Sequence, residues 1–375
     1  MSLAYAISDN QSIGSNGAIS LLVGAALGIT FERGRFCFFC IFREAIEERN
    51  TTPFLGILVA IAVGAIGYAI TFGQFLPDTS TGRLPPNAHI GPVSWVLVLA
   101  GVLFGVGMAL SGACLSGHLY RIGQGSLRAV PALLGSLIGF GMGFKLWNSI
   151  YLGVISDSST LWLPHTFGYA GALLITLLVL GFIAWLAIRF GSSSEPLSQP
   201  VTSGSVGNGL RASIFQNRWS PITTGSIVGI IGTIAYLRVE PLGVTRQLST
   251  ISRTYLDKYN LLPENLAGMD TMAGCIAVIS KVITNNGWLI LGFVFASLAA
   301  ALIGNRFAFE SITMRNGSTA FIGGVLLGLS SMIALGCTVG VLLSGTQSFA
   351  ISGWAFFASA FLGTFVSIKL KLHRS

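Results

Sequence analysis

Charge is what this sequence has least of. Only 9% of its 375 residues are Asp, Glu, Lys or Arg, against 52% hydrophobic residues and a mean hydropathy of +0.76. That balance excludes a soluble globular protein, which needs far more polar residues to cover its surface. Histidine is scarce too, with four in the chain. There is no Cys/His array and no paired C-x-x-C motif, so neither a zinc site nor a disulfide framework is expected. No H-E-x-x-H, nucleophile elbow, Walker loop or dinucleotide fingerprint is present. The glycine-rich runs lie inside apolar stretches and lack a following Lys-Ser/Thr, which argues against ATP-driven transport by this chain. No metal or cofactor is expected. Met1 to Ala18 has no Lys or Arg and no cleavage-type pattern, so no signal peptide is expected.

What the chain has instead is apolar runs of spanning length and 48 glycines. A bilayer core takes roughly 20 residues per helix, and small residues let spanning helices approach closely. The expected fold is an all-α integral membrane protein of about nine spanning helices with short broken or re-entrant helices. The runs fall near Ile19–Arg35, Phe54–Gln74, Pro92–Ala113, Leu127–Trp147, Phe167–Arg189, Ile222–Tyr236, Trp288–Asn305, Thr319–Leu335 and Phe349–Leu370. A polar linker over 191–220 separates a first repeat with one extra helix, 1–190, from a second repeat, 221–375. Together they form one membrane unit. The mixed stretch Arg238–Asn286 reads as short helices or a re-entrant hairpin.

The net charge of +8 does not point to nucleic acid, because the basic residues lie mainly in loops. Loops 33–49, 121–128, 189–218, 306–315 and 369–374 carry most of them, and loops 77–92 and 148–165 almost none. By the positive-inside rule the N-terminus is external and the C-terminus cytoplasmic. The two halves then run in opposite directions, an inverted-topology repeat. A positive field would also favour an anionic substrate.

Two distant stretches match at a constant offset. Gly101-Val-Leu-Phe-Gly105 is followed by Ser111-Gly-Ala-Cys-Leu-Ser-Gly117, and Gly324-Val-Leu-Leu-Gly328 by Ala334-Leu-Gly-Cys-Thr-Val-Gly340. Each pairs a Gly-x-x-x-Gly face with one cysteine, Cys114 or Cys337. A lone membrane cysteine is ordinarily a small buried hydrophobe. Here each ends an apolar run among glycines that favour a broken helix, which favours a site. Cys37 and Cys40 form a C-x-x-C beside Arg33, Arg35 and Arg43, which read better as headgroup-level side chains than as site residues. The matching second-half stretch, Tyr236 to Thr245, has no cysteine. His118 and Arg121 follow Cys114, His118 as a proton or anion group or as an interfacial residue. Cys275 reads as core and Asp270 as a cap. Glu32, Glu44 and Glu240 read as ion-pair partners of nearby arginines.

The run Gly112-Ala-Cys-Leu-Ser-Gly-His118 resembles a signature of the YeeE/YedE sulfur-transport family of bacterial inner-membrane proteins. Arg35-Phe-Cys-Phe38 with Arg43-Glu44 and Leu335-Gly-Cys-Thr-Val-Gly340 resemble the family's other cysteine motifs. The resemblance implies thiosulfate uptake through an inverted-repeat protein, with Cys37, Cys114 and Cys337 along the path. His118 is a weaker candidate for the path, and Cys40, Cys275 and Arg121 are possible additions. It also implies a soluble sulfur-carrier partner of the TusA-like or YeeD type. Chemistry fits this substrate. A bare dianion cannot cross the bilayer, and its soft terminal sulfur suits a weak S–H donor. A thiol kept from water stays protonated, avoiding repulsion between thiolate and dianion. Loss of uptake is expected in Cys114→Ala and Cys337→Ala, with Cys275→Ala tolerated. Alternatives are transport of a selenium or other sulfur compound, and, in another class, a membrane thiol oxidoreductase or sulfurtransferase using Cys37 and Cys40.

Overall fold

The computed structural model describes residues 14–76, 78–191, 217–263, 265–269, 279–280 and 282–374. Among them the chain is helical, with no strand beyond two isolated bridges. It is an all-α membrane protein, and eight of its helical segments are long and apolar enough to cross a bilayer. The helices are α1 (Gly14–Gly34), α2 (Phe38–Arg43), α3 (Thr52–Phe75), α4 (Trp95–Ser111), α5 (Leu115–Gly123) and α6 (Ala129–Ile150). They continue as α7 (Leu163–Phe190), α8 (Pro221–Arg238), α9 (Arg246–Lys258), α10 (Asn285–Ile303), α11 (Met314–Ile333) and α12 (Ile351–Lys369). Segments Glu44–Glu48, Tyr151–Ile155 and Thr338–Gly345 are π-helical.

The segment expected at Ile222–Tyr236 is α8, an 18-residue helix. It carries three threonines, one serine and a terminal Arg238, and it is not among those eight. Arg238–Asn286 contains the short helix α9. Its Ser252 hydroxyl donates to the Leu137 carbonyl, and Leu256 lies against Gly141, so α9 packs along the middle of α6. The expected linker falls mostly on residues 192–216, outside those described.

Helix pairing follows a simple scheme. Helix α1 packs on α10 and α3 on α8, while α6 packs on α11 and α4 on α12. Helix α4 also meets α11, and α1 meets α8. Exchanging α1 with α8, α3 with α10, α4 with α11 and α6 with α12 interchanges the first four pairings in twos and carries each of the last two onto itself. The two Gly-x-x-x-Gly faces serve matching contacts. A Cβ on Gly101 or Gly105 would run into Ser359 or Ala360 of α12, and one on Gly324 or Gly328 into the Ala132 or Ser136 carbonyl of α6. Helix α7 lies at the edge, packed on α3 and otherwise largely exposed.

The basic loops meet at one end of the molecule. There Arg306 holds the fully buried Glu32 carboxylate through Nε (2.7 Å) and Nη2 (2.8 Å). Gln124 donates to the same carboxylate and Arg218 to the Glu32 carbonyl. Ser126 donates to Glu310, and His373 lies 3.0 Å from Glu47. The opposite end is tied by aromatic donors, Trp147 to the Ala267 carbonyl, Trp162 to Ser348, Tyr169 to Leu76 and Tyr236 to Pro86.

Candidate functional site

Three of the cysteines occupy one kind of position. Cys37, Cys114 and Cys337 each have an extended backbone immediately before a helical segment: α2, α5 and Thr338–Gly345. Two residues before each lies a residue in the left-handed region, namely Arg35 (φ 50°), Gly112 (φ 87°) and Leu335 (φ 59°). The left-handed residue turns the chain out of the preceding helix, and the extended cysteine starts it into the next. Glycine adopts that conformation without cost, whereas Arg35 and Leu335 lose about 1–2 kcal/mol each by it. Such local strain persists only where surrounding packing holds it. Helix N-termini expose backbone N–H groups with no partner of their own, so each thiol lies where such groups open.

Cys37 and Cys114 come together. Their sulfur atoms are 3.9 Å apart, both fully buried, and either can be the donor. Gly117 N–H donates to Cys114 Sγ at 3.3 Å, Ser116 Oγ lies 3.3 Å from that sulfur, and Phe38 N–H also faces it. Cys114 thus sits between the N-termini of α2 and α5. A Cβ on Gly117 would come to 2.8 Å from Cys37 Sγ and 3.3 Å from Cys114 Sγ, so the glycine makes room for two thiols.

Cys40, one turn beyond Cys37, accepts from Arg121 Nη2 at 3.0 Å, while Arg121 Nη1 donates to the Gly112 carbonyl. Arg121 therefore braces the Cys114 break and presents its charge to a thiol rather than a carboxylate. His118 is buried, with one ring nitrogen donating to the Ala113 carbonyl. Its Nε2 has no hydrogen-bond partner among the described residues. Cys275 and Asp270 lie outside those residues. Of the three acidic residues, Glu32 lies 3.8 Å from the neighbouring Arg33 and is held across the fold by Arg306, Glu240 pairs with Arg246 six positions on, and Glu44 makes no ion pair among the described residues.

Cys337 has a different neighbour. Its thiol faces the N–H groups of Val339, Gly340 and Val244 and the hydroxyl of Thr245, the residue before α9. Thr245 is 1% exposed, and its Oγ1 has no hydrogen-bond partner among the described residues; the same holds for Thr338 Oγ1. A buried hydroxyl left in that state costs about 1–3 kcal/mol. Just beyond the Leu335 turn is a cavity of about 20 Å³ lined by His89, Gly91, Ser94, Leu335, Val341 and Ser352 among others, large enough for a water. Burial, with a lesser effect from Arg246, holds His89 down to about 4, so the ring is neutral at physiological pH. Neither Thr245 nor His89 stands out in the sequence. The one signal for Thr245 is its place, the last residue before a short helix, as Cys37 is in the first half.

Broken helices that end on buried thiols inside a helical bundle have the architecture of a membrane transporter. The chain belongs to the Sulphur transport family, whose model matches residues 33–366. It is 26% identical over 358 residues to the Thiosulfate transporter TsuA of Escherichia coli (strain K12), covering 92% of each chain. It is 23% identical over 363 residues to the Thiosulfate transporter TsuA of Spirochaeta thermophila, covering 89% of this chain and 92% of that one. A shorter match, 31% over 162 residues, is to the Probable transporter YedE of Escherichia coli, covering 43% of this chain and 38% of that one. The protein is a transporter and not an enzyme.

Proposed function

We propose that this protein takes up thiosulfate across the bacterial inner membrane, handing the ion from thiol to thiol along Cys337, Cys114 and Cys37. The observation that carries the reading is the pair of buried thiols 3.9 Å apart at two helix breaks, with a third cysteine at a break of the same form. Two relatives that match almost the whole chain are named as thiosulfate transporters, which supports the choice of ion. A neutral S–H is a weak donor, so each station holds the terminal sulfur without trapping it, as conduction requires. The backbone N–H groups beside Cys114 and Cys337 serve the sulfonate oxygens in the same steps.

The gathered basic loops form the cytoplasmic face in this reading, with an external N-terminus and a cytoplasmic C-terminus. The pairing scheme of the helices supports an inverted-topology repeat, with α7 as the extra helix. Thiosulfate then enters beside Cys337 and leaves past Cys37, Cys40 and Arg121. A soluble sulfur carrier of the TusA-like or YeeD type receives the sulfur inside, a role that rests on the family resemblance. The test is growth of a sulfate-uptake-deficient bacterium on thiosulfate as sole sulfur source, with and without this gene. Rescue is expected, and its loss in Cys114→Ala and in Cys337→Ala; full growth of either variant would overturn the relay.

A further inference from the structure

Thr245 and Cys37 hold corresponding places. Each is the residue before the short helix that follows the first long helix of its half, α2 after α1 and α9 after α8. Each side chain faces the cysteine at its own half's second break, Cys37 facing Cys114 and Thr245 facing Cys337. One station therefore has two thiols, with the Ser116 hydroxyl beside Cys114, and the other a single thiol with the Thr245 hydroxyl. An N-terminal threonine ordinarily turns its oxygen back to cap its helix. Thr245 makes no such bond, its Oγ1 has no hydrogen-bond partner among the described residues, and it is buried at 1% exposure. The buried hydroxyl is thus turned to the Cys337 sulfur and not to its own helix.

We infer that Thr245 and Cys337 form a two-point binding site that recognises thiosulfate by both of its ends, the hydroxyl donating to a sulfonate oxygen while the thiol meets the terminal sulfur. The inference rests on the thiosulfate reading above and deepens it. An oxyanion carrying one soft and several hard acceptors is matched by one soft and one hard donor. The Cys37–Cys114 station differs in offering two soft donors, two thiols, to the terminal sulfur. Thr245 is accordingly the residue that sets affinity at the Cys337 station, and it acts at the binding step.

The test is uptake of radiolabelled thiosulfate into cells lacking other sulfur-uptake systems, with transporter abundance measured by fluorescence-detected chromatography. Thr245→Val keeps the side-chain shape and removes the donor; Thr245→Ser restores the donor on a smaller side chain. The valine variant is expected to raise KM about tenfold or more, as for a lost bond to a charged group, with maximal rate per transporter within about twofold. The serine variant should return KM to near the wild-type value. An unchanged KM in Thr245→Val, or a serine variant as impaired as the valine one, overturns the inference while wild-type uptake leaves the thiosulfate reading standing. Absence of thiosulfate uptake by the wild-type protein overturns both.

Discussion

Cys37 and Cys114 are 77 positions apart in the chain, yet their sulfur atoms lie 3.9 Å from each other. Contact requires two separate helix breaks to meet, one after α1 and one after α4.

That contact is open to chemical test. In a Cys40→Ala, Cys275→Ala background, dibromobimane should bridge Cys37 and Cys114 and become fluorescent. Fluorescence should vanish in Cys37→Ala and Cys114→Ala and persist in Cys337→Ala. Bridging that depends on Cys337 and not on Cys114 would contradict the arrangement.

The left-handed residues predict a stability pattern. Gly112→Ala places a side chain at φ 87° and should lower stability by about 1–2 kcal/mol. Arg35 is exposed, so a substitution there mainly tests its backbone at φ 50°. Arg35→Gly should be tolerated and Arg35→Val should destabilise, since a β-branched residue is least at ease there. Thermal unfolding in detergent reads both, and equal effects of glycine and valine would refute the assignment of strain.

Glu32 and Arg306 should behave as a unit. Removing Arg306 takes from the fully buried Glu32 carboxylate the side chain that grips both its oxygens, at a cost of about 3–5 kcal/mol, and removing Glu32 takes the same contact from the partly buried Arg306. Glu32→Ala and Arg306→Ala should each lower the unfolding midpoint strongly, and the double variant should fall well short of their sum. Additive losses would mean that the pair is not coupled.

His89 predicts a dependence on pH. Its ordinary value is 6.5, and in the fold burial, then Arg246, hold it to about 4. Below 6.5 the unfolded chain takes up a proton that the folded ring refuses. Stability should therefore be lost as pH falls from 6.5 towards 4, by on the order of 3 kcal/mol. His89→Gln should flatten that part of the curve; identical slopes for the variant and the wild type would count against it.

Much of this was legible beforehand. Hydropathy located the spans because membrane insertion is decided segment by segment, and the eight segments long and apolar enough to cross fall on expected runs. The repeated Gly-x-x-x-Gly faces and Cys114 with Cys337 are visible at one constant offset. The turns were harder to see. Only one of the three left-handed positions carries the expected glycine, Gly112, while Arg35 and Leu335 are held by their surroundings and leave no local signature. Glu32 stands beside Arg33 in sequence but is gripped through both oxygens by Arg306, 274 positions on.

The sequence by itself determined that this chain lives in a bilayer, that the glycine-flanked Cys114 and Cys337 recur at one offset at the ends of apolar runs, and that sulfur transport is its family's business. Those follow from composition and local pattern, which each segment carries alone. Only the tertiary structure decided which break meets which, so that a thiol faces Cys114 and a hydroxyl faces Cys337. That choice belongs to the packing of helices across the bundle, where partners are selected by fit between surfaces far apart along the chain.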